Sequence, residues 1–336
     1  MLVFPVATIY VLGLALDLGA PRPIQRSLSM SGAPLSLTHG ERLPKTGFLL
    51  LAGVTLFWGA NWPGMKIAVA EIPVWWFRAT CVWAGAIGLL TVAKLSGNTL
   101  LVRRSEIPKL LLVSFFAMLG WQVCSAYGVS LMPAGRASII AFTMPVWAAF
   151  FGAIFLDEPI TGAKIVGLLL GVAGLGVLIG EDLIVFGTAP VGAMFMLAAA
   201  LAWAIGTVLF KKYKWTTPIS TLIGWQLAAA AVPITIVAML FEPVPHVTEL
   251  STKAIVAMLY LFALPMVFCQ WAYFKLVSIF PASIAAMGTL AVPIVGVYSS
   301  ALILGEPVGW RELVSLVLIC SALASVLIYP SLRAKR

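Results

Sequence analysis

Apolar residues in this sequence run in long unbroken stretches, and polar residues gather in the short gaps between them. Ten stretches, roughly 47–68, 74–95, 107–130, 135–156, 162–180, 190–210, 217–241, 252–278, 281–303 and 310–329, reach the length needed to cross a bilayer. A helix rising about 1.5 Å per residue needs about 20 apolar residues to span about 30 Å of hydrocarbon. The gaps hold turn formers: Ser96-Gly97-Asn98, Glu158-Pro159, Pro190, Glu242-Pro243 and Glu306-Pro307. None is long enough for a soluble domain. The pattern predicts an all-α integral membrane protein of about ten transmembrane helices.

Residues 1–46 form a poorly defined extension. Its apolar run, 2–16, is short for a span and lacks the basic flank of a signal peptide. Translation starting near Met30 is one reading; a peripheral extra segment is the other. Residues 330–336 form a basic tail.

The pattern repeats. Pro145 precedes Glu158-Pro159 by the same 13 residues that separate Pro293 from Glu306-Pro307, an offset of 148 between copies. The same offset carries Phe77-Arg78 onto Trp225-Gln226 and brings Trp121-Gln122 beside Gln270-Trp271. An offset of 145 carries Lys66 onto Lys211. The first five stretches fall within 47–180 and the second five within 190–329. With an odd number of spans per copy, the second copy must sit inverted in the membrane. Inverted repeats around a midplane site are a feature of secondary transporters.

Composition agrees. The chain of 336 residues is 62% hydrophobic and 10% charged, with a mean hydropathy of +1.06. Soluble domains carry about 25% charged residues. The net charge of +9 does not form a basic stripe with interleaved aromatics, so no nucleic-acid partner is expected. The basic residues instead orient the helices. With the amino terminus inside, 16 of the 21 Lys and Arg residues lie on the inner side. The positive-inside rule then puts both termini in the cytoplasm, for a multi-pass protein of the cell (inner) membrane. The partners expected are the lipid bilayer and a small-molecule substrate, for a monomer or homodimer. Cys81, Cys124, Cys269 and Cys320 are far apart inside apolar stretches, and both histidines stand alone, so no metal and no cofactor are expected.

All twelve acidic residues fall at or outside span ends. Ion-coupled carriers usually place a carboxylate within the membrane, so the pattern leans towards facilitated export or exchange. Arg78 is a basic candidate for a substrate carboxylate, with Lys66 and Lys275 nearer span ends, where long side chains can snorkel to the interface. Asn61, Gln122, Gln226 and Gln270 lie deep in their spans, and each amide needs a partner: protein, water or substrate. Trp58, Trp121, Trp225 and Trp271 lie near them in sequence, a composition suited to a substrate cavity. Trp75, Trp76, Trp215 and Trp310 fit interface positions better. Pro145 and Pro293 are candidate hinges, with a static kink as the alternative. Glu158 and Glu306 are candidate gates, with helix capping as the alternative. Gly167 and Gly171 suggest a small-residue packing face.

Several motifs together carry a family resemblance: Phe57-Trp58-Gly59-Ala60-Asn61, Phe77-Arg78, Ala134-Gly135-Arg136-Ala137-Ser138 with Pro145, and Leu156-Asp157-Glu158-Pro159. Their second copy is Pro281-Ala282-Ser283 with Pro293 and Leu304-Gly305-Glu306-Pro307. In order and duplication the sequence resembles the EamA-type branch of the drug/metabolite transporter superfamily. The resemblance implies a central cavity between two repeats, 47–180 and 190–329, and export or exchange of small metabolites, amino acids or related compounds among them. A drug or amine efflux carrier is the alternative. From another class, an integral membrane transferase would need a clustered Asp- or His-rich motif, which the sequence lacks.

Overall fold

The computed structural model describes residues 45–184, 191–279 and 282–327, so the amino-terminal extension, the question of Met30 and the basic tail lie outside it. The described residues are mostly helical, with no strand among them. The helices are α1 (Lys45–Gly59), α2 (Asn61–Glu71), α3 (Val74–Leu95), α4 (Ile107–Ser114), α5 (Trp121–Leu131), α6 (Ala134–Ala141) and α7 (Met144–Phe155). They continue as α8 (Gly162–Ile184), α9 (Val191–Lys212), α10 (Ile219–Phe241), α11 (Thr252–Ala263), α12 (Cys269–Ile279), α13 (Ala282–Leu304) and α14 (Trp310–Leu327). Wider π turns, Phe115–Gly120 and Leu264–Phe268, join α4 to α5 and α11 to α12.

Among the described residues, seven helical units are long and apolar enough to cross a membrane: Gly47–Glu71, Val74–Leu95, Ile107–Leu131, Ala134–Phe155, Val191–Lys212, Ile219–Phe241 and Thr252–Tyr273. Shorter apolar stretches, Gly162–Leu178 and Leu290–Leu304, lie in α8 and α13. The surface turns apolar side chains outward, Leu49, Met239, Leu240, Leu302 and Val317 among them. Water would penalise such a surface; hydrocarbon accepts it.

The helices pack as antiparallel pairs. At one end of α3 and α10, Glu242 accepts the Trp75 and Trp76 amides at 3.0 and 3.2 Å. At the other, Asn98 donates to Ser220 and Trp225 to the Leu100 carbonyl. α2 pairs with α11, where Glu71 at its end meets Ser251, the N-cap of α11, and the Tyr260 hydroxyl donates to the Phe57 carbonyl at 2.7 Å. α5 pairs with α9, α6 with α13, and α8 with α14. Glycines set the closest approaches. A Cβ on Gly206 of α9 would stand 2.6 Å from the Ala117 amide nitrogen, and one on Gly167 of α8 2.4 Å from Val326. Small residues permit this in lipid, where van der Waals contact does much of the packing. Gly171 faces Val146 and completes the packing stripe on α8.

Two interruptions differ from the pattern of simple spans. Pro145 lies at the start of α7, after a break at Phe142 and Thr143, and not mid-helix. A proline nitrogen has no hydrogen for the carbonyl four residues back, but at a first turn that hydrogen has no partner anyway. Pro293 lies inside the continuous α13, so the two repeat positions are shaped differently.

Candidate functional site

Arg78 sits one turn into α3 and is 2% exposed. Its Nη2 donates to Ser125 Oγ of α5 at 2.8 Å and reaches Met65 Sδ of α2 at 3.6 Å. Asn61 Nδ2, at the start of α2, meets the same sulfur at 3.1 Å. Asn61, Met65, Arg78 and Ser125 therefore form one linked polar cluster where α2, α3 and α5 meet. Gln122 lies one turn before Ser125 on the same face of α5. It is buried, and its Oε1 has no partner among the described residues; neither does Arg78 Nε. Among the described residues, the guanidinium thus meets neutral groups only, a hydroxyl and a thioether. A buried charge is costly unless paired, and in a membrane such a residue usually marks a site.

The other expected residues divide. Trp58 Nε1 donates to the Pro265 carbonyl at 3.4 Å, and its ring leans on Tyr273 with centroids 5.5 Å apart. Pro265 lies in the second π turn, so this indole docks where a helix has been widened to expose a carbonyl. Trp121 meets Trp203 edge to face at 5.2 Å, and Trp271 leans on Phe268. Gln270 is half-buried in α12. Gln226, the repeat counterpart of Arg78, is 1% exposed; its backbone carbonyl accepts from Ser114 Oγ at 2.6 Å, and its Nε2 is unpartnered among the described residues. Ser114 precedes Ser125 by 11 residues on one span, about 16 Å along a helix axis. Gln226 and Arg78 therefore lie at different depths and do not meet. Trp225 is 41% exposed and binds a loop carbonyl, which sets it apart from the cluster.

The charged positions resolve mainly as caps. Glu306 accepts the amides of Ala134 and Gly135 at 2.7 and 2.8 Å, capping α6, where the helix dipole favours an anion. Lys66 Nζ gives its protons to the carbonyls of Val129, Ser130 and Met132 at 2.8, 3.1 and 3.0 Å, closing the carboxyl end of α5. Glu158 differs: it pairs with Lys164 at 2.9 Å and with Lys211, which hold its carboxyl below the ordinary value. Glu106, buried just before α4, accepts from both Thr216 and Thr217, side chain and backbone, ahead of α10. Burial alone would raise its pKa, but the Thr217 and Thr216 bonds prevail and hold it at about 2.

A pocket of about 240 Å³ lies at the Glu306 end, among Pro133, Arg136, Val297, Glu306, Val308 and Glu312. Arg136 pairs with Glu312 across it at 2.6 Å. Of the expected site residues only Glu306 borders this pocket. Ser125 and Met65 are partners of Arg78 that sequence reasoning did not single out. Their signal was spacing: one turn beyond Gln122 and one turn beyond Asn61.

Comparison with known proteins shows the family. The EamA-like transporter family matches residues 45–180 and again 190–328. A transporter of Bacillus subtilis, the uncharacterized YoaV, is 26% identical over 271 residues, covering 80% of this chain and 92% of its own. A probable amino-acid metabolite efflux pump of Salmonella typhimurium is 27% identical over 292 residues, covering 83% and 93%. The aromatic amino acid exporter YddG of Ancylobacter novellus is 30% identical over 118 residues, or 34% of this chain and 40% of its own. A solved crystal structure, 18% identical, shares the fold with a TM-score of 0.61 over 87% of this chain and 99% of that one. With two successive matches covering nearly all the described helices, the chain belongs to the EamA-like transporter family, a family of transporters and not of enzymes.

Proposed function

We propose that the protein exports or exchanges amino acids or related carboxylate metabolites by alternating access between two inverted five-helix repeats. The observation that carries the substrate class is Arg78, a buried guanidinium whose described partners are a hydroxyl and a thioether. A substrate carboxylate would supply the missing charge and take the free Nε–H, and Gln122 Oε1 would accept from an ammonium on the same molecule. A cationic drug or amine would be repelled by Arg78, so the amine-efflux reading is the weaker one. The relatives named as amino-acid metabolite efflux pumps and an aromatic amino acid exporter point the same way.

Support for the inverted repeat comes from the pairing. α3 meets its counterpart α10, α6 meets α13, α8 meets α14, and the α2–α11 contact is mirrored by the packing of α9 on α4 and the first π turn. Each pair runs antiparallel, as a twofold axis in the membrane plane requires. The π turns occur at matching places, and so do the left-handed residues Asp157 and Gly305, 148 apart. The 16-to-5 distribution of basic residues supports ten spans with both termini in the cytoplasm of the cell membrane.

The test is uptake and counterflow in proteoliposomes with a panel of zwitterionic, anionic and cationic compounds. Losing one partner of a buried charge pair costs about 2 kcal/mol or more, so Arg78→Gln should weaken carboxylate transport about thirtyfold. It should leave any cationic compound's transport unchanged. Unchanged carboxylate transport in that variant would remove Arg78 from the site.

A further inference from the structure

The repeat relates Lys66 to Lys211 and Glu158 to Glu306, so it also relates two cross-repeat pairs: Lys66 with Glu306 and Lys211 with Glu158. Twofold symmetry would give both pairs the same geometry. The structure gives them opposite ones. At the Glu158 end, Lys211 and Glu158 are joined as an ion pair. At the Glu306 end, Lys66 and Glu306 are within electrostatic reach of each other but are parted. Lys66 spends its protons on three α5 carbonyls, and Glu306 spends its oxygens on two α6 amides. Both groups thus rest on the Met132–Pro133 corner between α5 and α6, holding the two sides of one turn.

We infer that the two pairs are alternating latches, Lys211–Glu158 closing one end of the protein while Lys66–Glu306 is open, and the reverse in the other state. This rests on the transporter reading above. The energies suit exchange. Lys211 is 68% exposed, and an ion pair in so water-exposed a place is weak, so this latch breaks easily. At the other end, the capping bonds lost when Lys66 and Glu306 leave their helix ends are offset by the pair they form. The counterparts of Ala134 and Gly135, 148 residues on, are Ala282 and Ser283 at the start of α13. In the other state Glu158 would leave Lys211 for these amides. Lys164 does not serve as a latch, because it pairs with Glu158 within a single repeat.

Carbodiimide treatment of the purified, unmutated protein tests this, since it forms an amide bond only between a lysine and a carboxylate in contact. Peptide mass spectrometry should find both the Lys211–Glu158 and the Lys66–Glu306 bonds. The decisive variant is Lys211→Gln, an exposed change far from the Lys66 pair. It should raise the yield of the Lys66–Glu306 bond several-fold, because removing one latch shifts the population towards the other. Two static caps would not respond. A Lys66–Glu306 bond that never forms, or forms with a yield indifferent to Lys211→Gln, overturns the latches. The readout needs no substrate, so a coupled yield in a protein that carries nothing would uphold the latches and sink the transport reading instead.

Discussion

Asp157 adopts φ 53° where its repeat counterpart is Gly305 at φ 70°. Its helix ends with the Leu156 amide on the Gly152 carbonyl at 3.0 Å, and beyond the left-handed residue the Glu158 amide reaches the same carbonyl at 3.4 Å. A side chain in that conformation costs about 1 kcal/mol, which glycine avoids. Asp157→Gly should therefore raise the melting temperature in detergent, and a lower one would show that the aspartate has another role. Glu106 gives a pH prediction. Its carboxyl is held at about 2, below the ordinary 4.5, so its contribution to stability is complete above about 4.5 and is lost as pH falls towards 2. Glu106→Gln should lower the melting temperature at pH 7, and the gap from the parent should shrink on acidification. A gap independent of pH would contradict the assignment. The same scale shows where the sequence was legible. Arg78 and Asn61 stood out because charge and amide are rare in hydrocarbon. Ser125 and Met65 did not, being ordinary in membrane helices. Trp225 misled because neighbours on a helix point about 100° apart, so an indole beside Gln226 in sequence faces elsewhere in space.

At the scale of elements, seven of the ten expected spans were legible in the sequence, because an apolar run in hydrocarbon must satisfy its backbone as a helix. The interruptions were less so. A π turn needs one extra residue in a turn and has no strong composition, although Pro265 marks the second. The break at Phe142 and Thr143 shifts Pro145 from a mid-helix kink to a helix start, a distinction of a few residues that periodicity does not resolve. The glycine crossings separate two kinds of position. Gly206→Ala would drive a methyl into the Ala117 backbone and should abolish or sharply reduce folded protein, since backbone cannot swing away. Gly176→Ala meets nothing within 4 Å and should be neutral or stabilising by about 0.5–1 kcal/mol through helix propensity. Monodispersity in detergent reads both. Equal behaviour of the two variants would refute the packing of α9 on the first π turn.

The whole molecule is organised by a repeat that the sequence showed as offsets and the structure shows as reciprocal pairs, carboxylates of one half capping or pairing with elements of the other. Glu306 reaches α6, Glu242 reaches α3, and Glu158 reaches Lys211. That reach across halves was not legible, because capping depends on which helix ends meet. The orientation claim has its own check: a reporter fused after Arg336 should be active only on the cytoplasmic side, and periplasmic activity would reverse the topology. Above all stands the claim that this family member carries carboxylate metabolites past Arg78. The most direct measurement is counterflow of labelled amino acids in proteoliposomes holding the parent protein or Arg78→Gln, at matched amounts of folded protein. The account predicts accumulation of at least one zwitterionic amino acid by the parent and its loss in the variant; amino-acid counterflow that is absent from the parent, or equal in the two, would contradict it.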